Sequence, residues 1–291
     1  MSERILIVRH VTAYHYSEPV SFGEHQMMFR PRASYDLRLL KTRLDIHPKP
    51  SAIRWVHDIF DNSVAIATFD GMASELRFES TTSLEHLEIT PPDYELDTHA
   101  RTYPFAYSDH DFANLGQALK RHYPAPEVDA WALQFLAPEP TTGTMGLLLR
   151  MTLGIKAQFS YERRTEKGVQ TPLETLRCGR GSCRDFALLM MEAARSLGLA
   201  ARFVSGYIFM PDFTPIIGGG STHAWMQVYL PGAGWVDFDP TNSIVGNRNL
   251  IRVAVAWNPA QALPLWGSFI GPASSFRGME VSVSVTEEID G

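Results

Sequence analysis

Residues 179–198 read Gly-Arg-Gly-Ser-Cys-Arg-Asp-Phe-Ala-Leu-Leu-Met-Met-Glu-Ala-Ala-Arg-Ser-Leu-Gly, and no other stretch of the chain constrains its fold as strongly. Gly179 and Gly181 permit backbone angles and close approaches that a Cβ resists, so a sharp turn can present the side chains that follow. Ser182 stands where a helix cap belongs. From Cys183 onward Phe186, Leu189, Met190, Ala193, Ala194 and Leu197 recur at steps of three and four, which predicts a helix with one buried face, closed by Gly198. Cys183 therefore falls in the first helical turn. There, unpaired N–H groups and the positive end of the helix dipole favour an anion and so a thiolate, the form of cysteine that acts as a nucleophile. Taken alone, the stretch fits a small buried cysteine as well as a reactive one.

A second stretch bears on that choice. Residues Thr222 to Leu230 alternate like a half-buried strand, Pro231-Gly232-Ala233-Gly234 makes a turn, and Trp235-Val236-Asp237-Phe238-Asp239-Pro240-Thr241 starts a second strand. The resulting hairpin carries His223 on one strand and Asp237 and Asp239 on the other. Such a hairpin can hold a carboxylate against one imidazole nitrogen while the other faces a thiol, the nucleophile, base and orienter arrangement of thiol acyl transfer. Asp237 and Asp239 are two residues apart and share a strand face, so geometry leaves the orienting acid open between them.

The residues Gly181-Ser182-Cys183-Arg184-Asp185-Phe186-Ala187, His223-Ala224-Trp225 and Gly234-Trp235-Val236-Asp237-Phe238-Asp239-Pro240-Thr241 resemble the core pattern of the bacterial transglutaminase-like superfamily, including its transglutaminase-like cysteine proteases. The resemblance implies a papain-like core of α+β class, with the cysteine-bearing helix packed on an antiparallel sheet. It also implies Cys183 as nucleophile, His223 as base and Asp239, the acid that precedes Pro-Thr, as orienter. Tyr161 is the aromatic residue that the resemblance brings nearest to the reacting carbonyl's pocket, and a plain core or surface tyrosine is the alternative.

The rest of the chain fits around that core. From Ile5 to about Glu88 short strands lie between turns (Ile5 to Tyr16, Leu37 to His47, Ile53 to Ile59, Val64 to Phe69, Glu75 to Leu87), which predicts a β-sandwich-like unit; it resembles the N-terminal β domain that often precedes such cores. His57 and Asp58 are strand neighbours that point to opposite faces, a structural pair. Thr90 to Asp93 and the stretch to Ser108 read as a boundary, giving residues 1–92 as the first domain and 93–291 as the catalytic core. Helices are expected at Asp109 to Tyr123, Pro126 to Leu136 and Thr144 to Phe159, with a short one opened by Thr171 and Pro172. The strand at Ala200 to Ile208 joins the His and Asp strands. The Pro- and Gly-rich loop Met210 to Gly220 is expected to be mobile, a lip on the substrate side. Strands at Arg248 to Ala256 and Met279 to Thr286 form a C-terminal β extension of the core, about 248–291, around a Pro- and Gly-rich segment.

Composition narrows the function classes. A net charge of −6 with no Lys/Arg cluster argues against nucleic acid as a partner. The apolar run Ile5 to Val8 is too short for a signal segment, and no run of about 18 apolar residues occurs, so a cytoplasmic protein with no membrane partner is expected. Two cysteines, 178 and 183, make neither a disulfide framework nor a zinc site, and their spacing is not that of a Cys-x-x-Cys redox pair. Cys178 reads as a packed or solvent-facing thiol. No calcium loop is present, and the expected chemistry needs no metal or cofactor. The expectation is hydrolysis of a peptide or protein amide by a cysteine peptidase or amidase. Transamidation by a true transglutaminase and a non-catalytic binding protein are the alternatives, and oligomeric state is left open.

Overall fold

The computed structural model describes residues 2–88, 94–137, 142–164, 168–211, 217 and 220–288. The boundary residues Thr90 to Asp93, and most of the 210–220 loop with Gly218 and Gly219 of its glycine run, lie outside the described residues.

The alternating first third forms five strands: β1 (Ser2–Met27), β2 (Leu37–His47), β3 (Ala52–His57), β4 (Ser63–Thr68) and β5 (Met72–Glu88). They lie in the order β2-β5-β1-β4-β3. Expected as a strand over Ile5 to Tyr16, β1 runs on to Met27 because it serves two neighbourhoods. Up to Ser21 it pairs antiparallel with β5, with a register shift between His15 and Val20, and from His25 it pairs with β4. The sheet closes on its own core of Tyr16, Val20, Phe22, Met27, Leu76 and Phe78, which is the sandwich-like packing expected of this unit.

The second unit contains β6 (Thr102–Tyr103), α1 (Asp109–Leu119), α2 (Pro126–Leu133), β7 (Thr142–Gly143), α3 (Thr144–Gln158), β8 (Ser160–Tyr161), α4 (Pro172–Cys178), β9 (Arg180–Gly181) and α5 (Cys183–Ser196). Five strands follow: β10 (Ala201–Ile208), β11 (His223–Leu230), β12 (Gly234–Asp239), β13 (Ile244–Val245) and β14 (Leu250–Ala256). They form an antiparallel sheet in the order β13-β12-β11-β10-β14. Strand alternation divides β11 cleanly. Ala224, Met226, Val228 and Leu230 pack with Phe186, Leu189, Met190 and Ala193 of α5 in the main core, and a fully buried Leu or Met side chain is worth roughly 1.5–3 kcal/mol. His223, Trp225 and Gln227 belong to the opposite face.

That opposite face carries its own cluster, Val204, Ile208, Trp225, Leu250 and Val255, with Phe60 of the first unit packed against it. Leu6, Val8, Leu37 and Leu84 join Tyr207, Phe209, Ile251 and Val253 in one apolar cluster across the two sheets. Asn62, after β3, donates to Val255 O and accepts from Val255 N, both at 2.9 Å, so its amide extends the edge of β14. Asp58 organises the same turn by accepting from Phe60 N, Asn62 N and Asn62 Nδ2, whereas His57 lies on the surface against Asp61.

The C-terminal segment departs from the expected layout. The region 248–291 is expected to extend the core, and only β14 does so. β15 (Leu265–Ile270), inside the expected Pro- and Gly-rich segment, and β16 (Phe276–Glu287) both pair antiparallel with β1 and complete the first sheet. β1 leaves an edge open on its far side, and the chain end returns to pair with it. Among the described residues no helix is long and apolar enough to cross a membrane.

Candidate active site

The turn that delivers Cys183 is held at both ends. Thr171 caps α4 with Pro172 in the first turn and Glu174 reaching back to Thr171 N, and Gly179 ends the helix in the left-handed conformation at φ 64°. The two-residue parallel pairing of β8 with β9 then fastens the turn to the chain leaving α3. Gly181 sits in a tight place, since a Cβ there would lie 3.0 Å from Asp185 Cβ and 3.1 Å from the Phe186 ring and would press on both.

Asp185 is the centre of this turn. Its carboxylate is fully buried and accepts Ser182 N and Ser182 Oγ at 2.8 Å, Gln170 N at 2.7 Å and Arg164 Nη1 at 2.9 Å. It satisfies the N-terminal groups of α5 and fixes the cysteine's approach. No role was expected for it, although Ser182-x-x-Asp185 has capping-box spacing and could have been read as such.

Cys183 opens α5 and is 6% exposed. His223 is the first residue of β11, so its side chain sits at the end of the sheet, where it can reach the thiol on the helix-covered side. Asp239 closes β12. The His223 and Asp239 side chains are both fully buried, and Nε2 lies 2.8 Å from Asp239 Oδ2. Asp239 also accepts Thr241 N at 2.9 Å, Asn242 N at 3.3 Å and Asn242 Nδ2 at 2.9 Å, so all four bonds favour its ionised form. Burial pushes its carboxyl up, but His223 and these donors outweigh burial and hold it below the ordinary value.

The imidazole is governed by the same balance. Burial alone depresses it; the charge and hydrogen bond of Asp239, with Cys183 adding to them, reverse this and push it up to about 10. With Nε2 committed to Asp239, the nitrogen left for the thiol is Nδ1, which is buried and holds no hydrogen bond of its own. The Cys183 thiol is thus near enough to act on the imidazole. The three expected residues converge on one point.

Asp237, the other candidate acid, shares the strand face and turns elsewhere. It accepts Trp225 Nε1 at 2.6 Å, Gln227 Nε2 at 2.8 Å and Arg252 Nη1 at 3.0 Å, and it makes no bond to His223. Tyr161 is half-buried with its ring edge-on to Phe186 at 6.5 Å. Burial, and after it the neighbouring Cys183, raises its pKa, so its hydroxyl is a neutral donor beside the thiol. Cys178 is exposed at the end of α4, with Sγ 2.8 Å from Glu174 O. Asn242, which also clamps Ile217 through Ile217 N and Ile217 O, went unread in the sequence because asparagine after Pro-Thr reads as an ordinary turn residue.

Residues 134–240 match the transglutaminase-like superfamily model, and residues 6–85 match the bacterial transglutaminase-like N-terminal region. The chain carries a transglutaminase-like superfamily core over residues 134–240, behind a bacterial transglutaminase-like N-terminal region. The matched stretch spans Cys183, His223 and Asp239, and the match fits the general kind of reaction, thiol-dependent acyl transfer. An uncharacterized protein of Mycobacterium tuberculosis is 28% identical over 96% of this chain and 91% of its own length. An uncharacterized protein of Mycobacterium leprae is 26% identical over 96% of this chain and 97% of its own. A crystal structure from Cytophaga hutchinsonii, provisionally named a cysteine protease, superposes with a TM-score of 0.72 over 100% of this chain and 93% of that one. At 18% identity that likeness shows a shared fold for the whole superfamily core and its N-terminal unit together.

Proposed function

We propose that the chain hydrolyses amide bonds in peptides or proteins through a thioester, as a cysteine peptidase or amidase with Cys183 as nucleophile, His223 as acid and base, and Asp239 as orienter. The observation that carries this reading is one buried imidazole, with a carboxylate 2.8 Å from Nε2 and Nδ1 left free on the side of the cysteine. Held up to about 10, the imidazole is an imidazolium at neutral pH, and its charge can stabilise a thiolate formed at Cys183.

In the first half-reaction Sγ attacks the carbonyl carbon and the carbonyl electrons move to oxygen. The N–H of Cys183, an unpaired donor at the start of α5, is the natural first support for that oxyanion, and loss of one such donor typically costs about 10²- to 10³-fold in rate. His223 Nδ1 then gives its proton to the departing amine as the C–N bond breaks. In the second half a water loses its proton to the now neutral Nδ1 and attacks the thioester, releasing the acid and restoring the thiolate and imidazolium. Asp239 stays ionised throughout and keeps Nε2 protonated. Two unpaired cysteines, one of them exposed, suit a reducing compartment, which supports the cytoplasmic placement as part of the same proposal.

The test is a mass spectrum after incubation with peptide amides and a primary amine such as putrescine. Free acid as the main product, abolished in Cys183→Ala, is expected. Preferential incorporation of the amine would make the chain a transglutaminase, and no turnover of a broad library would leave it a binding protein on this fold.

A further inference from the structure

A chain of buried polar side chains runs from the first sheet to the back of the imidazole. Asp36, in the turn before β2, is 2% exposed and accepts Arg252 Nη2, the Ser34 hydroxyl and, at 2.9 Å, Asn247 Nδ2. Arg252, on β14, turns its other terminal nitrogen to Asp237 Oδ2 at 3.0 Å. Asp237 Oδ1 accepts the Trp225 indole N–H at 2.6 Å and the Gln227 amide at 2.8 Å. The Trp225 ring in turn stacks on the His223 ring, with centroids 5.9 Å apart and planes inclined by 27°. The indole is seated closely, because a Cβ at Gly206 would lie 2.7 Å from its outer edge and 2.1 Å from Ile251 O.

Two carboxylates and a guanidinium are an expensive way to fill an interior, and apolar residues of the same volume commonly do so at lower cost. What the charges add is direction. A guanidinium held on two sides cannot swing, a carboxylate held by it accepts the indole along one line, and the stacked indole then fixes the plane of the imidazole. His223 would otherwise be held only at Nε2 by Asp239, about which the ring can tilt and carry Nδ1 away from the thiol.

We propose that Arg252 is a positioning residue for His223: clamped between Asp36 and Asp237 it sets the Trp225 indole, and so makes the first sheet part of the active site. This rests on the reading of His223 as the partner of Cys183. It also predicts a pH signature. Burial pushes the Asp237 carboxyl up, and Arg252 is the first influence that restrains it. Arg202 on β10, Asp36, Tyr35 and Tyr94 also face this group electrostatically. Without Arg252, Asp237 takes up a proton more readily, and the bond that orients the indole weakens as pH falls.

The readout is the rate at which iodoacetamide alkylates Cys183, followed by peptide mass spectrometry between about pH 5 and 9, with Cys178 in the same chain as the control. Asp36→Asn and Arg252→Gln should slow Cys183 about tenfold or more while Cys178 is unchanged, the scale expected of a misplaced reacting group. Arg252→Gln should also lose rate more steeply than the wild type as pH falls, and Arg252→Gln combined with Asp237→Asn should lose that added dependence. Folded variants with wild-type rate and pH profile, altered only in melting temperature, overturn the proposal. If Arg252→Gln does not fold, the rate of Asp36→Asn decides. If His223→Ala leaves the wild-type Cys183 rate unchanged, the failure lies instead in the reading of His223 as the base.

Discussion

Asp237 and Asp239 present the same functional group to the same face of one strand, and the difference between them is which neighbours they meet. Asp239 meets an imidazole and Asp237 meets an indole, an amide and a guanidinium. Asp239→Asn should therefore lower activity, or the alkylation rate of Cys183, by about 10³-fold or more, on the precedent of an orienting acid whose loss leaves the wrong tautomer. Asp237→Asn should cost about tenfold, the positioning effect alone. Rates measured on both variants after circular dichroism has shown them folded check this, and an inverted order would reassign the orienting acid. The same pair bears on stability. The His223 imidazole is raised from 6.5 to about 10, so its contribution is complete below about pH 6.5 and is lost as pH climbs through about 10. Asp239 is lowered from 3.8, so its contribution is present above about pH 3.8 and is lost as pH falls below that. The melting temperature of the wild type should exceed that of His223→Gln most between about pH 4 and 6.5, and the gap should narrow towards pH 10. A gap that widens on the alkaline side would contradict the raised imidazole.

At the scale of the elements, α5 and the turn before it act as one piece because Asp185 binds them together. Its carboxylate gathers Ser182, Gln170 and Arg164, so Asp185→Ala strips the cap from α5 and removes the buried carboxylate that pairs with Arg164. A loss of about 2–4 kcal/mol is expected, from a cap worth about 1 kcal/mol and the breaking of a buried ion pair, and it can be read by urea denaturation. Cys183 should lose its fast alkylation in the same variant. Less than about 0.5 kcal/mol of change would mean that the glycine turn holds itself. The helices were legible here with little error: α1, α2 and α3 begin at the expected Asp109, Pro126 and Thr144 and end earlier than expected, at Leu119, Leu133 and Gln158. β15 was not legible, because a short strand of Leu265-Trp266-Gly267-Ser268-Phe269-Ile270 flanked by Pro and Gly reads as a loop until β1 supplies the partner.

For the whole molecule, the return of the chain end to β1 means that the first sheet is incomplete without residues from the far end. Residues 1–92 expressed alone leave the outer edge of β1 bare from Leu6 to Tyr16 and from Ser21 to Met27, so they should aggregate or give poorly dispersed NMR spectra. Addition of 265–288 through a designed linker should restore a folded unit, and good dispersion from 1–92 alone would count against this account. Val283 N also donates to Gly220 O at 3.1 Å, so the same returning strand touches the segment that leads to His223. The sequence by itself determined what is local or periodic: the glycine turn and helix that carry Cys183, the hairpin that carries His223 and Asp239, and the alternation of the first strands. Each of these depends on residues within a few positions of one another, where propensity and spacing act directly. Only the tertiary structure decided that Asp237 turns to an indole, an amide and a guanidinium, that the chain end closes the first sheet, and that Asp36 reaches Asp237 through Arg252. Those outcomes join residues as far apart as Leu6 and Glu287, and their partners are chosen by how the two sheets pack, a choice that no run of neighbouring residues encodes.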